Sequence, residues 1–231
     1  MLPRLVAATV AALTIGQAAH AADLPPSKGP PPVAAPTYHC TEKNAVSIDI
    51  FGFTTGSDVN DPAALSGSLT YFGAFDTRGG TFRGHQGVAQ LSYGLAPCLE
   101  VGPYVSALTA RTNIFAAPPE IDASAYAAGL EMKYKLLSRS LHGVGLTVVV
   151  DPSVARNQVD LLPNFTSYNV GLRLFLDAEL VAGKLFGAVN ISHDMTSVKS
   201  ALLTDISTLT LAGALSWQFA DGVFLGGEVR H

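Results

Sequence analysis

The chain has 231 residues, of which 48% are hydrophobic and only 14% charged, and its formal net charge is −4. Soluble domains carry about 25% charged residues, so this composition suits a protein whose outer surface does not all meet water. The acidic balance excludes the basic footprint that nucleic-acid binding requires.

The N-terminus differs in kind from the rest. Arg4 precedes the apolar run LVAATVAALTIG, and QAAHA follows. Ala19 and Ala21 flank His20 in an A-x-A cleavage pattern, so residues 1–21 read as a secretory signal peptide. The alternative, an anchor helix, would need a longer run to span a bilayer. No later stretch offers about 18 uninterrupted apolar residues, so no transmembrane helix is expected. Residues 22–43 begin ADLPPSKGPPPVAAP, a Pro-rich extended linker expected in the periplasm of a Gram-negative cell. Cys40 lies too far from the apolar run for a lipid anchor, and Thr37, Tyr38 and His39 do not suit a lipoprotein cleavage site.

From residue 44 a period of two recurs, the pattern of strands with one apolar and one polar face. Residues 45–54 set Val46, Ile48 and Ile50 opposite Ser47 and Asp49, and residues 67–76 more weakly align Leu69, Tyr71 and Phe75. Residues 85–95 set Leu91 and Tyr93 opposite Gln90 and Ser92; residues 98–110 set Val101 and Val105 opposite Glu100 and Tyr104. Residues 122–136 set Tyr126, Leu130 and Tyr134 opposite Glu131, Lys133 and Lys135. Residues 143–151 set Leu146 and Val148 opposite Thr147 and Asp151. In VGLRLFLDAEL (170–180), Leu172, Leu174 and Leu176 face away from Arg173, Asp177 and Glu179. A helix competes there, because Leu172, Leu176 and Leu180 also recur four apart. Residues 184–194 (Lys184 and Asn190 against Val189 and Ile191), 207–219 and 223–231 (Glu228 and Arg230 against Val229) repeat the alternation, which decides for strands.

Roughly ten strands of about ten residues, joined by turns, predict an all-β, up-and-down antiparallel barrel. With a signal peptide in front, the apolar parity is expected to face lipid and the charged parity the lumen. Short connections at 96–97, 138–141, 182–183 and 220–222 alternate with longer ones at 112–121, 152–164 and 195–206, which assigns the short set to the periplasm. Tyr93, Tyr134, Trp217 and Phe219 near short turns, and Tyr126 and Tyr168 near long loops, are placed to form two aromatic girdles. Two features fit less well. Residues 45–54 would run against the expected direction, so they are read as a non-barrel segment or a lumen insert. The last strand stops at His231 without the usual terminal aromatic, so residues 44–231 are expected to be a C-terminally incomplete barrel of about 12 strands.

The segment LSYGLAPCLEVGPYV (Leu91 to Val105) resembles a hairpin of a Gram-negative outer-membrane barrel family, the phenol-degradation meta-pathway type. The resemblance covers about fifteen residues. It implies a porin-like barrel of about 12 strands passing hydrophobic or aromatic compounds, and it carries over no catalytic or binding residue. Cys98 departs from the polar residues usual in that turn.

Candidate site residues follow from parity. Glu100, Tyr104, Glu131, Lys133, Arg173, Asp177, Glu179, Lys184, Glu228 and Arg230 should line the lumen. Pairing across 112–121 would bring Glu100 near Glu131 and Lys133, and the turn at 182–183 would bring Glu179 near Lys184. Such charges either sort solutes as a filter or neutralise one another in a network that fills a narrow barrel. Phe175, Phe186 and Phe224 would block the lumen, whereas its Gly and Ser residues would open it. Cys40 and Cys98, the two cysteines, should both face an oxidising compartment, as a disulfide or as unrelated thiols. No second ligand stands at zinc spacing from His39, so neither metal nor cofactor is expected. TRGGTFRGH (77–85) holds Arg78, Arg83 and His85; a glycine turn explains it better than phosphate contact does.

No G-x-S-x-G, H-E-x-x-H or P-loop occurs. The nearest polar cluster, Ser192, His193 and Asp194, is split between faces by alternation, so no enzyme is expected. The expected partners are outer-membrane lipids, lipopolysaccharide and the barrel-assembly machinery, with no nucleic acid and no oligomeric state specified. The leading function is passage of small solutes through the bacterial outer membrane. The alternatives are a non-conducting structural or surface-contact barrel and, as a third class, a soluble lipocalin-like binder.

Overall fold

The computed structural model describes residues 54–77, 80–113, 121–160, 162–199 and 205–231, together with Cys40, Glu42, Ile50 and Phe51. The expected signal peptide, most of the linker, residues 45–49 and Arg78 lie outside the described residues. Nine strands follow in chain order: β1 Leu65–Thr77, β2 Gly80–Ala96, β3 Leu99–Asn113, β4 Ile121–Leu137, β5 Val144–Val159, β6 Phe165–Val181, β7 Leu185–Lys199, β8 Ile206–Ala220 and β9 Val223–Arg230. Each pairs antiparallel with the next in one up-and-down sheet, β1 and β9 at its edges, curled into a half-barrel. A four-residue helix, α1 (Arg139–His142), caps the β4–β5 connection. Among the described residues no helix is long and apolar enough to cross a membrane, which says nothing of strands.

The alternation read from sequence sets the faces. On the concave side Asp177 (3% exposed), Lys135 (1%) and Thr147 (0%) are buried, while Leu69 (82%), Leu209 (71%) and Leu225 (64%) stand bare on the convex side.

The strands run longer than the alternation indicated. The weak segment 67–76 is a full 13-residue strand. The expected loops 152–164 and 195–206 shrink, because β5 continues to Val159 and β7 to Lys199. Pro152 opens the segment 152–164 that was expected as a loop. It stays in β5 because its ladder is broken on one side only: Pro152 pairs with Val170 of β6, while the β4 register skips from Gly129↔Ser153 to Met132↔Val150. Pro103 in β3 behaves alike, paired with Leu130 of β4 while the β2 register skips from Gln90↔Tyr104 to Tyr93↔Val101. The end of β7, MTSVK, offers polar side chains to both faces and so carries little periodic signal. The contrast in loop length that oriented the sheet is accordingly weaker than expected, and the β1–β2 connection spans only 78–79.

Candidate functional site on the concave face

Two layers of side chains occupy the concave face, and a stretch of non-strand chain lies across one of them. The β2–β3, β4–β5, β6–β7 and β8–β9 turns form one end of the sheet. Residues 54–64 cross the concave side near that end, meeting one strand after another. Thr54 donates its N–H and hydroxyl to Glu228 of β9 (3.0 and 3.3 Å). The Asn190 amide of β7, turned to suit its surroundings, bonds the Thr55 N–H and carbonyl (2.6 and 2.9 Å). Ser57 donates to Asp177 of β6 from N–H and hydroxyl (2.5 and 3.0 Å), and its carbonyl accepts from Thr147 of β5 (2.5 Å). Asp58 accepts from Lys135 of β4 and Arg139 of α1, each at 3.0 Å. Asn60 donates its N–H to Glu100 of β3 (2.7 Å) and its amide to the Ser92 carbonyl of β2 (3.2 Å). Backbone bonds between Gly94 and Ala63–Ala64 then lead into β1 (2.8 and 3.0 Å). A Cβ at Gly94 would run into the Asp61 carbonyl, so this approach requires glycine.

The belt is anchored at three further points. Cys40 and Cys98 form a disulfide, with Cα atoms 5.4 Å apart. Cys98 sits at φ 67° in a two-residue turn after Pro97, the left-handed position of a Pro-led turn that glycine would ordinarily take. Glu42 accepts from the Arg139 and Ser140 N–H groups (2.7 and 3.0 Å) and pairs with Lys135 at 2.6 Å. Phe51 packs on Phe186, Ala188 and Ala214, with Ile50 and Phe224 beside them. Phe175 and Phe186, expected as possible lumen blocks, are buried in this layer. The linker's last residues, read from sequence as unpacked, thus end in a disulfide and a buried carboxylate.

Burial and charge act against each other in this layer. Burial works against the Glu42 carboxylate, but Lys135 and the backbone donors outweigh it and hold its pKa below the ordinary value. At Asp58 burial wins over Lys135 and Arg139, and the pKa is raised. Arg139 also pairs with Asp177 at 2.7 Å.

The second layer lies one step further from the turns. Lys133 sits between Glu100 and Glu131, 3.1 Å from each. Glu131 also accepts from Gln90 (2.9 Å) and Arg173 (3.3 Å). Arg173 reaches Asp151 at 2.6 Å and Asp194 at 4.0 Å, and the Tyr104 hydroxyl donates to Asp151 (2.9 Å). The sequence had brought Glu100 near Glu131 and Lys133; the structure adds Arg173 and Tyr104 to that cluster and sets Asp177 and Glu228 under the belt. Glu179 instead accepts from the Gly183 N–H, while Lys184 and Arg230 are exposed. Sequence reasoning missed Glu42, Asp58, Arg139, Asp151 and Asp194 as site residues. Parity alone pointed Asp151 and Asp194 inward; nothing periodic marked the others.

Chemically this is a set of saturated ion pairs. Among the described residues no group of three or more His, Cys, Asp or Glu side chains could hold a metal. His193 points outward and bonds the Ser207 hydroxyl (2.8 Å), apart from Asp194.

A family model matches residues 45–231, which include all nine strands and the belt. The chain belongs to a family of unknown function (DUF6662). No curated protein matches the chain, and no solved structure does. Membership therefore brings no activity with it, and the polar concave face has to be read from its own geometry.

Proposed function

We propose that this chain forms an outer-membrane β-barrel, closed by strands beyond the nine described, that passes small solutes along its polar interior. The observation that carries the reading is the inversion of the sheet: charges buried on the concave side, leucines bare on the convex one. In water, so large an apolar face would be an aggregation hazard. In lipid it is the required surface, and a closed sheet pairs every backbone group. Tyr93, Tyr134, Trp217 and Phe219 are exposed near the turns and Tyr126 and Tyr168 near the opposite end, as two interfacial girdles would be. The secretory leader read in residues 1–21 supports export, and the short turns would face the periplasm.

The belt favours a second reading, a barrel that does not conduct. Residues 54–64 and the buried Phe175 and Phe186 fill the turn end of the described interior, so passage would have to run through strands beyond β9 or await release of the belt. Heat-modified gel migration of the full-length protein tests the barrel. A shift between unboiled and boiled samples from outer-membrane fractions is expected. No shift, with the protein in the soluble periplasmic extract, would sink it. Single-channel recording in planar bilayers then separates the readings: steady conductance supports passage and its absence the structural barrel. Hydrophobic or aromatic compounds, implied by the resemblance at Leu91 to Val105, are the first solutes to try.

A further inference from the structure

We infer that the convex rim at the loop end binds the phosphorylated headgroup of an outer-leaflet lipid; the inference rests on the membrane-barrel reading. On that rim Arg83 of β2 stands beside Arg111 of β3, and Arg111 beside Asp122 of β4. The Asp122 N–H in turn bonds the Asp160 carboxylate (3.0 Å). One step toward the middle of the wall, His85, Thr109, Ser124 and Gln158 form a polar row. One step further, Tyr71 and Tyr126 begin the aromatic level, with Arg156 beside Tyr126. Lys199 lies over the Tyr168 ring, 4.9 Å from its centroid.

Among the described residues the loop end therefore holds four cations, Arg83, Arg111, Arg156 and Lys199, against three carboxylates, Asp122, Asp160 and Asp205, the last accepting from the Val198 N–H (3.1 Å). The chain as a whole is acidic, at −4. The other rim of the same wall presents Leu95, Leu136, Leu141, Leu180 and Phe219, all exposed, with Lys184 and Asp221 exposed in its turns. What distinguishes the loop end is the pair of neighbouring guanidinium groups, Arg83 and Arg111, just outside the aromatic level. A leaflet with phosphate at its surface suits such a pair, since guanidinium groups bond phosphate oxygens in fixed geometry. A cleft of about 820 Å³, lined in part by Arg83, His85, Arg111 and Asp160, gives such a headgroup room. Of the four cations, Arg111 is engaged with Asp122 through two bonds (2.7 and 3.0 Å). Arg83 and Arg156 are exposed, with no ion pair among the described residues.

The test uses full-length protein in detergent, with diphosphorylated lipid A as the probe. Its fully dephosphorylated form is the control, and retention is read by native mass spectrometry. Wild type should retain the phosphorylated form preferentially. Combining Arg83→Gln, Arg156→Gln and Lys199→Gln should lower that retention by more than about tenfold, while Arg83→Lys with Arg156→Lys keeps most of it. Equal retention of the two lipids by wild type, or undiminished binding by the triple variant, would overturn the inference. Release of the lipid by millimolar inorganic phosphate would overturn its assignment to a lipid. Heat-modified migration of each sample separates the failures: a heat shift without phosphate discrimination removes the headgroup site alone, and no heat shift removes the barrel and the site with it.

Discussion

Two ion pairs of nearly equal length stand at opposite ends of this sheet. Lys135 and Glu42 meet at 2.6 Å with 1% and 5% of their side chains exposed; Arg111 and Asp122 meet at 2.7 Å with 59% and 50% exposed. The first lies inside, under a belt of chain that crosses the strands. The second lies outside, on the convex rim. Distance is the same and consequence is not. Water screens the outer pair and solvates each partner when the pair opens. Inside, a carboxylate that loses its cation has no water to turn to. The turn end is therefore held by charge, and the loop end merely displays it.

The largest test of that contrast is Lys135→Met. It takes Lys135 from both Glu42 and Asp58 in a buried layer, leaving Asp58 to Arg139 and Glu42 to its backbone donors, and should cost about 3 kcal/mol in urea unfolding. A loss no greater than that of a surface pair would mean that the belt does not sit where it does here. Next comes the disulfide. Cys40→Ser frees the segment from the β2–β3 turn and should cost about 2–4 kcal/mol. Cys98→Gly breaks the same bond but places glycine at a positive φ, so it should cost less than Cys40→Ser by about 1 kcal/mol. Equal losses in chemical denaturation would show that the left-handed turn carries no strain worth relieving.

The strand faces were legible in the sequence because apolar and polar residues alternate with the pleat. Lys135 was legible in the same way, from its place in KYK. Its partners were not. Asp58 stands 77 residues away in the chain, in TTGSDVNDPAA, which is polar, aperiodic and indistinguishable from a loop. Such a segment bonds through backbone groups and short polar side chains, and each of these is fixed by a strand that the segment itself cannot name. Cys40 and Cys98 were legible as a candidate pair because only two cysteines exist. Residues 152–159, expected within a loop, belong to β5 because its ladder is interrupted at Pro152 on the β4 side and kept on the β6 side.

Acid sharpens the comparison within the belt itself. The Asp58 pKa is raised, so its charged form is the costly one, and stability rises as pH falls through that raised value. The Glu42 pKa is lowered, so its contribution is full above the ordinary carboxylate range and is lost as pH falls through the lowered value. On acidification the Asp58 gain comes first and the Glu42 loss second. Unfolding midpoints measured from neutral to acid pH should show the late loss disappear in Glu42→Gln and the early gain disappear in Asp58→Asn. A net acid loss made smaller by Asp58→Asn would reverse the assignment.

The smallest effect is expected where the pair is most visible. Asp122→Asn breaks both bonds from Arg111 on the outer rim, yet it should leave the unfolding midpoint unchanged. Its consequence should instead be electrostatic. The loop end would lose one of its three described carboxylates, beside the neighbouring Arg83 and Arg111. Retention of diphosphorylated lipid A should then rise, while Lys135→Met, on the inner face, leaves the retention of whatever protein remains folded as it was. A stability loss in Asp122→Asn approaching that of Lys135→Met would show that the rim pair is structural. The cations around it would then be scaffold, and the difference between the two ends would lie only in where the same kind of support is placed.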